Sequence, residues 1–452
     1  MSLIRKYNVA TPRYTSYPTV PYWEEKNFNP DHWKTLLKSA FTASNNSDGI
    51  SIYIHLPFCE SLCTYCRCNK HITVNHEVEV PYIAALLKEW ALYVNTFGGR
   101  PRIRELHLGG GTPTFFSAEN LHSLLNGIFS NAEVLPDACL SFEGHPGNTT
   151  PDHLQTLYNL GFRRISLGIQ DFDRQVQEII NRLQPFEMVA SVVERARKTG
   201  FTSINFDLIY GLPLQTTASM QHTIDKVVRL RPDRISFYSY AHVPWIKGTG
   251  QRRYTEADLP GNEEKRQLYE LGKLLFDSNG YTEIGMDHFA LPGEALHTAF
   301  LQGKLHRNFM GYTVSHTALL VGLGASSIGD SWHAYAQNEK RTRVYQELVN
   351  QGKFPLVRGH ILNEEDLLLR QHIHNLMCRF ETACRTADTQ CAAVAEALQR
   401  LQELERDGLV EVKPRKVQVT AKGKPFIRNI CMAFDARLWR QVPHSQLFSK
   451  SI

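Results

Sequence analysis

From Ile50 onward the chain alternates two kinds of hydrophobic pattern. Short β-branched or apolar runs recur: ISIYIHL, IRELHLGG, CLSFEGH, RRISLGIQ, SINFDLIYG and DRISFYSYA. Between them lie longer amphipathic stretches, among them VPYIAALLKEWALYVNTF, SAENLHSLLNGIF, PDHLQTLYNLG, FEMVASVVERARKTG and MQHTIDKVVRL. Several stretches open near Ser, Thr or Asp and close on Gly, as capped helices do. Strands alternating with helices of this size predict βαβ units and a parallel sheet, hence an α/β fold. Six such units build either an open sheet or a partial barrel, and spacing alone does not choose. Polar residues and glycines fall at the C-terminal ends of the runs, where α/β folds hold ligands.

The flanks have a different pattern. Residues 1–48 are irregular and rich in Tyr and Pro (YTSYPTVPYW), then polar (TASNNSDG). They predict an N-terminal arm whose aromatics pack on the body. From residue 361, EEDLLLRQHIHNLMCRF and AAVAEALQRLQELERDG have helical periodicity, and GLVEVKPRKVQVTAKGK alternates like a hairpin. The expected organisation is therefore an arm (1–48), an α/β domain (49–360) and a helical, winged-helix-like domain (361–452). The basic residues PRK and KGK make only a thin patch, so a capping role is expected there and nucleic acid is not.

Composition narrows the function classes. With 42% hydrophobic residues in 452, the chain can bury a large core. Its 50 Lys+Arg against 45 Asp+Glu leave a net charge of +5, too slight to indicate a polyanion partner. No apolar run approaches the ~20 residues of a membrane-spanning helix. The N-terminus lacks the apolar core of a signal peptide. A cytoplasmic, reducing setting is expected, where clustered cysteines serve metals or catalysis more often than disulfides.

Four of the nine cysteines fall within FCESLCTYCRCNK, directly after the first run: Cys59, Cys63, Cys66 and Cys68. Structural zinc sites usually pair two knuckles separated by a dozen or more residues, and four ligands this close cannot easily wrap one ion. An iron–sulfur cube is wider, and one loop can reach three of its corners. Cys63 and Cys66 also have the spacing of a redox pair. Spacing favours the cluster; zinc and the redox pair stand as alternatives. GGGTP, Gly109 to Pro113, ends the second run, and glycines there let the backbone approach a ligand or make a tight turn. Glu143, Gln170, Arg182 and Asp207 sit at later strand ends or in the loops after them. A buried charge needs a partner. Arg182 suits a carboxylate, and Asp207 or Glu143 suits ribose hydroxyls or an ammonium group; internal ion pairs are the plainer reading. Cys139, Cys378, Cys384, Cys391 and Cys431 show no ligand spacing, and most of them read as small buried hydrophobes.

C-x3-C-x2-C after the first strand of a repeating α/β unit resembles the signature of the radical S-adenosylmethionine enzymes. The wider YIHLPFCESLCTYCRCNK resembles the oxygen-independent coproporphyrinogen III oxidase (dehydrogenase) family. The likeness runs on through YTSYPT, HLGGGTPT, SLGIQDF, FDLIYGLP, MDHFA, LHRNF and RNICMAFD, and so covers nearly the whole chain. It implies a partial (β/α)6 barrel and a 4Fe–4S cluster on Cys59, Cys63 and Cys66, but not Cys68. The iron left open would take S-adenosylmethionine and yield a 5′-deoxyadenosyl radical.

The resemblance also implies that Tyr53, Gly110, Glu143 and Ile328 hold that S-adenosylmethionine. It assigns Tyr65, Gly111, Thr112, Gln170, Arg182, Asp207 and Ala241 to a second one. It implies conversion of two propionates of coproporphyrinogen III to vinyls, a reductant such as flavodoxin or ferredoxin, and a monomer. Tyr53 stands near that chemistry, and His288, His306 and Arg307 are the candidates for gripping substrate carboxylates. The arm is expected to cover the site, so that removing residues 1–20 abolishes turnover while the cluster still forms. Two departures bear on substrate identity: GHPGN after Glu143, and Met310 where the family commonly has Gln. Met cannot make the amide's hydrogen bonds.

Overall fold

The six short runs form six strands: β1 (Ile50–Leu56), β2 (Arg102–Gly110), β3 (Glu133–Gly144), β4 (Arg164–Gln170), β5 (Ser203–Tyr210) and β6 (Arg234–Ser239). The computed structural model describes residues 3–24, 28–244, 250–251, 253–443 and 447–450. In it β1 to β6 pair in parallel and in chain order, and Leu320–Leu323 adds a parallel strand beside β1. Antiparallel strands extend both sides, ending at Leu356–Ile361 and Thr282–Ile284, to make a mixed sheet of twelve.

That order decides between the two architectures. Crossovers of one hand that never reverse direction keep every helix on one face and curl the sheet around the other. Helices Glu79–Phe97, Ala118–Ser130, Pro151–Asn159, Phe186–Thr199, Thr217–Leu230 and Asn262–Ser278 accordingly pack each on the next. The edge strands do not pair with each other, so the barrel is partial. The helix ends follow their sequence signals. Ser117 caps one start, Thr150 and Thr216 form capping boxes, and Gly98 and Gly200 close two helices in the left-handed conformation.

Along each strand the two faces differ. Ile52, Ile54, Leu106, Leu108, Phe142, Ile165, Phe206 and Phe237 are fully buried in the core shared with the helices. The residues between them are polar: Tyr53, His107, Glu143, Ser166, Asn205, Asp207 and Ser236. Parallel strands covered on both faces usually read as continuous apolar runs. The strict alternation here marks a concave face that encloses polar space, and it pins the register, since a one-residue slip would invert both faces.

A second core forms around helices Glu364–Arg379 and Ala392–Arg406. Its three-stranded sheet places Lys416–Val419 between Glu381–Ala383 and Val410–Lys413, the last two strands in sequence being the expected hairpin. Tyr7, Tyr14 and Tyr17 are buried in this core, whereas Trp33, Leu37 and Phe41 of helix Pro30–Ser44 are buried in the barrel core. Buried Arg428 of the RNICMAFD motif donates to the carbonyls of Pro12 (3.0 Å), Thr11 and Lys450 (3.0 Å), and Asn429 donates to Tyr7 O (2.8 Å). The motif thus ties down the chain's start. Removing residues 1–20 strips three aromatics from a closed core, and loss of one such ring costs ~3–5 kcal/mol. We expect this truncation to lower the melting temperature by about 10 °C or more, read by calorimetry. An unchanged melting temperature would mean that the segment acts as a detachable cover.

Candidate active site

The cysteine loop leaves β1 and is fastened along its length. His71 N donates to Pro57 O (2.8 Å) and Thr73 N to Cys59 O (2.9 Å). Thr64 N and Oγ1 donate to Ile180 O (2.9 Å) and Ile179 O (3.0 Å) after β4, and Asn181 Nδ2 donates to Leu62 O (2.9 Å). Gln251 Nε2 donates to both Tyr65 O (3.0 Å) and Ala241 O (3.1 Å). The loop is thereby held over the C-terminal ends of the strands.

Cys59, Cys63 and Cys66 line one cleft of about 410 Å³ together with Tyr65, Gly110, Gly111 and Thr112. Glu143, Gln170, Arg182 and Asp207 line the same cleft. Most of the sequence candidates are therefore brought together. Tyr53 lies just beneath, stacked on His107 at 6.1 Å and sharing a 3.1 Å hydrogen bond with His55 Nδ1. Besides Tyr53, two cofactor-binding candidates do not line the cleft. Ala241 reaches it only through the Gln251 amide shared with Tyr65. Ile328 opens a strand beyond Leu320–Leu323 and packs near Trp23 and Tyr335.

The thiols differ in environment. Burial pushes Cys59 up to about 11, although it shares a 3.3 Å hydrogen bond with Thr112 Oγ1. A hydrogen bond with Cys68 draws Cys66 down to about 6 and raises Cys68 in turn. Arg182 Nη1 donates to Cys63 Sγ (3.5 Å) and Nη2 to Gly168 O (2.7 Å), while its buried Nε finds no partner among the described residues. Among those residues no three His, Cys, Asp or Glu side chains converge tightly enough to hold a single metal ion. Three thiols lining one cleft, with the Arg182 guanidinium alongside, fit a wider iron–sulfur cluster.

The glycine segment is required by close packing. A Cβ on Gly111 would lie 2.6 Å from Pro57 O and 2.9 Å from Cys59 Sγ. Gly110 has φ +127°, and a Cβ there would lie 2.7 Å from Leu56 O. Gly111 N and Thr112 N donate to Leu56 O (2.9 Å) and Phe58 O (3.0 Å), so the segment runs flush against the start of the cysteine loop.

Across the cleft, Gln170 is buried at φ +67°, an uncommon conformation for a residue with a side chain. The next residue anchors it: Asp171 accepts from Thr223 Oγ1 (2.6 Å), Gln215 Nε2 (2.5 Å) and Asp173 N (2.6 Å). Asp207 accepts from Ser166 Oγ and Asn205 Nδ2, both at 2.9 Å, and makes no ion pair among the described residues. Burial, then the nearby Glu143, raises it to about 6. A carboxylate in this state has free acceptor capacity for hydroxyl or ammonium donors.

Below the cleft the concave face encloses a chamber of about 200 Å³, joined to it at Glu143, Ser166, Asp207 and Tyr238. Met310 and His288 line the chamber, while His145 and Asn148 of GHPGN line the cleft, so both sequence departures face the site. Burial favours the neutral form of both candidate histidines. Burial lowers His288 to about 3, and its Nδ1 lies 2.9 Å from Met286 O. His306 lines neither cavity. It packs against His374 at 4.6 Å and His316 at 5.0 Å, and burial lowers it to about 2. Arg307 lies over the Tyr312 ring at 4.6 Å and donates from Nη2 to Arg13 O (3.4 Å); its buried Nε has no partner among the described residues. The sequence reading missed His107, Ser166, Asn205, Tyr238, Arg164 and Arg234, all on the concave face. Their signal was the polar residue at every second strand position.

A model of the radical SAM superfamily matches residues 53–227. The oxygen-independent coproporphyrinogen III oxidase of Escherichia coli K12 is 39% identical over 457 residues, spanning 100% of this chain and 98% of that protein. The enzyme of the same description from Helicobacter pylori J99 is 38% identical over 459 residues, spanning 99% and 98%. The solved structure of coproporphyrinogen III oxidase from Escherichia coli, described as a radical SAM enzyme, superposes with a TM-score of 0.87 at 38% identity, over 94% of this chain and 97% of that one. With this identity along its whole length, and with the cleft built as described, the chain belongs to the oxygen-independent coproporphyrinogen III oxidase family of radical S-adenosylmethionine enzymes.

Proposed function

We propose that the protein carries out oxygen-independent oxidative decarboxylation of two propionates of coproporphyrinogen III, giving protoporphyrinogen IX. The observation that carries this reading is the single cleft in which Cys59, Cys63 and Cys66 face the glycine segment, opening onto a polar chamber beneath. The 4Fe–4S cluster and S-adenosylmethionine, when bound, supply a 5′-deoxyadenosyl radical. Cys59, Cys63 and Cys66 would hold the cluster, and Tyr53, Gly110, Glu143 and Ile328 the adjacent S-adenosylmethionine. Tyr65, Gly111, Thr112, Gln170, Arg182, Asp207 and Ala241 would hold a second. In that role the unpartnered Nε of Arg182 faces a carboxylate and Asp207 accepts from hydroxyl or amine donors. Arg307, which lies over the Tyr312 ring, would grip a propionate. Residues 49–360 are read as the catalytic domain and 361–452 as its cap. All nine cysteines are free thiols, which supports work in a reducing compartment, and no helix among the described residues is long and apolar enough to cross a membrane.

Anaerobic incubation of the reconstituted protein with S-adenosylmethionine, reductant and coproporphyrinogen III should yield 5′-deoxyadenosine and the divinyl product. 5′-Deoxyadenosine with another substrate alone, haem included, would keep the radical chemistry and reject this substrate. Tight haem binding with neither product would indicate a carrier. Arg307→Ala should raise KM for the porphyrinogen about tenfold or more, the scale of a lost charged contact; unchanged kinetics would remove Arg307 from the substrate site. Asp207 supplies a pH test. Its pKa is raised to about 6, so binding that needs the carboxylate must first expel a proton at lower pH. Affinity for the second S-adenosylmethionine should therefore fall below pH 6 by at most about tenfold per unit, and Asp207→Asn should flatten the profile. A wild-type titration with no such inflection would exclude the role.

A further inference from the structure

The chamber beneath the cleft has a basic floor. Arg164 and Arg234 open strands β4 and β6 and flank β5, Arg164 beside Ser203 and Arg234 beside Asn205. Both line the chamber. Ser166 and Tyr238, later in the same two strands, border the cleft as well. From the rise of a strand per residue, Arg164 stands roughly 7 Å below Ser166 and Arg234 roughly 13 Å below Tyr238. Glu143 and Asp207 lie at the junction with the cleft, so the chamber runs from acidic at its mouth to basic at its floor.

The two guanidiniums are not equally engaged. Arg234, 4% exposed, forms an ion pair with Glu294. Glu294 also accepts from Leu296 N (2.6 Å) and Ser203 Oγ (3.4 Å), so it is fully taken up there. Arg164 has no carboxylate within ion-pair distance among the described residues. Its one hydrogen bond among them runs from Nη1 to Cys139 Sγ (2.7 Å), a weak acceptor. Glu105 lines the same chamber but is occupied by Thr313 Oγ1 (2.5 Å) and Ser51 Oγ (3.0 Å). The Nε atoms of Arg164 and Arg234 are buried without a hydrogen-bond partner among the described residues. With Nη1 on Cys139, the Nε–Nη2 edge of Arg164 is left over, and that edge suits a carboxylate taken in two parallel bonds. A guanidinium carried into a barrel without a counter-ion is costly, and a bound anion offsets the cost.

The proposed substrate carries four carboxylates, and burial favours the neutral form of His288 and His306. Of the sequence candidates only Arg307 is then left to meet them. We propose that Arg164, backed by Arg234, receives one propionate of the substrate at the chamber floor, while the macrocycle stays at the mouth. The volume of about 200 Å³ agrees with this division. It is smaller than the ~300–1,000 Å³ of pockets that enclose a whole ligand, so it admits an arm and not the ring system. The acidic mouth holds the arm's carboxylate at the far end. Arg164 thereby fixes which edge of the macrocycle faces the cleft. The inference rests on the proposed substrate and adds the residue that orients it.

The test is anaerobic calorimetric titration of the cluster-loaded protein with coproporphyrinogen III and, separately, with its tetra-amide, which has the same shape and no charge. Arg164→Gln should raise Kd for the tetra-acid about tenfold or more, the scale of a lost charged hydrogen bond, and leave Kd for the tetra-amide unchanged. Arg164→Lys keeps the charge without the fork. It should raise Kd for the tetra-acid by a smaller factor, again with the tetra-amide unmoved. An arginine that only held the barrel together would weaken both ligands alike. Equal weakening of the two, or wild-type affinity for the tetra-acid in Arg164→Gln, overturns the proposal. If Arg164→Gln does not fold, Arg164→Lys decides on the same terms. A wild type that binds neither ligand and forms no divinyl product rejects the substrate and this inference with it. A wild type that forms the product, while Arg164→Gln binds the tetra-acid just as well, rejects the inference alone.

Discussion

Cys59→Ala, Cys63→Ala and Cys66→Ala should each leave the reconstituted protein without its iron–sulfur cluster and reduce 5′-deoxyadenosine formation to background, whereas Cys68→Ala should keep the cluster. Metal and sulfide content, visible absorption and electron paramagnetic resonance after reduction read the first effect. Product chromatography reads the second. The expectation is position-specific because the four thiols are not equivalent. Cys59 is pressed against the glycine segment and bonded to Thr112; Cys63 accepts from Arg182; Cys66 is drawn toward thiolate. Cys68 is exposed and interacts chiefly with Cys66. A cube with three protein thiolates keeps one iron open, and filling that position with a fourth would block the cofactor. Loss of the cluster in Cys68→Ala would reassign the ligands and, with them, the open site.

Gly111→Ala should disable the site nearly as completely from the opposite wall. The added methyl meets Pro57 O, a backbone atom that cannot rotate away, and then Cys59 Sγ. Overpacking of this kind costs ~1–3 kcal/mol. Relief requires moving the cysteine loop or β2. Gly110→Ala adds a backbone penalty, since φ +127° is essentially closed to residues with a Cβ, at a further ~1–3 kcal/mol. Gly303→Ala is the control. It also has positive φ, +65°, but nothing lies within 4 Å of the new methyl, so only the conformational cost, of order 1 kcal/mol, applies. The expected pattern is loss of cluster and of S-adenosylmethionine affinity in Gly111→Ala and Gly110→Ala, with a small shift in melting temperature and full affinity in Gly303→Ala. Normal cluster content and affinity in Gly111→Ala would show that the segment yields, and that its glycines serve the turn alone.

Much of the site was legible because its chemistry is local. The cysteine spacing, the GGG run and the polar residues at strand ends each lie within a dozen residues of chain, and the structure gathers them at one cleft. The protonation state of the two candidate histidines follows from surroundings the sequence does not display. His288 and His306 keep their charge or lose it according to what surrounds them, and desolvation lowers the pKa of both. The arm was read as one unit, yet its halves serve different cores: Tyr14 and Tyr17 pack with the C-terminal helices, and Trp33 with the barrel.

By itself, then, the sequence determined the strands, the helices, their order and the place of the cysteine loop after the first strand. Hydrophobic period and cap residues act over one or two turns, and thiol spacing acts within one loop. Tertiary structure alone decided that the six strands pair in chain order and curl into a partial barrel, because pairing joins residues roughly 20 to 55 positions apart, such as Ser51 with Glu105 and Ser141 with Arg164. It also decided that the alternate polar residues share one enclosed chamber. Each is an ordinary solvent-facing residue in its own strand, and only closure of the sheet turns Glu143, Asp207 and Tyr238 toward a common space.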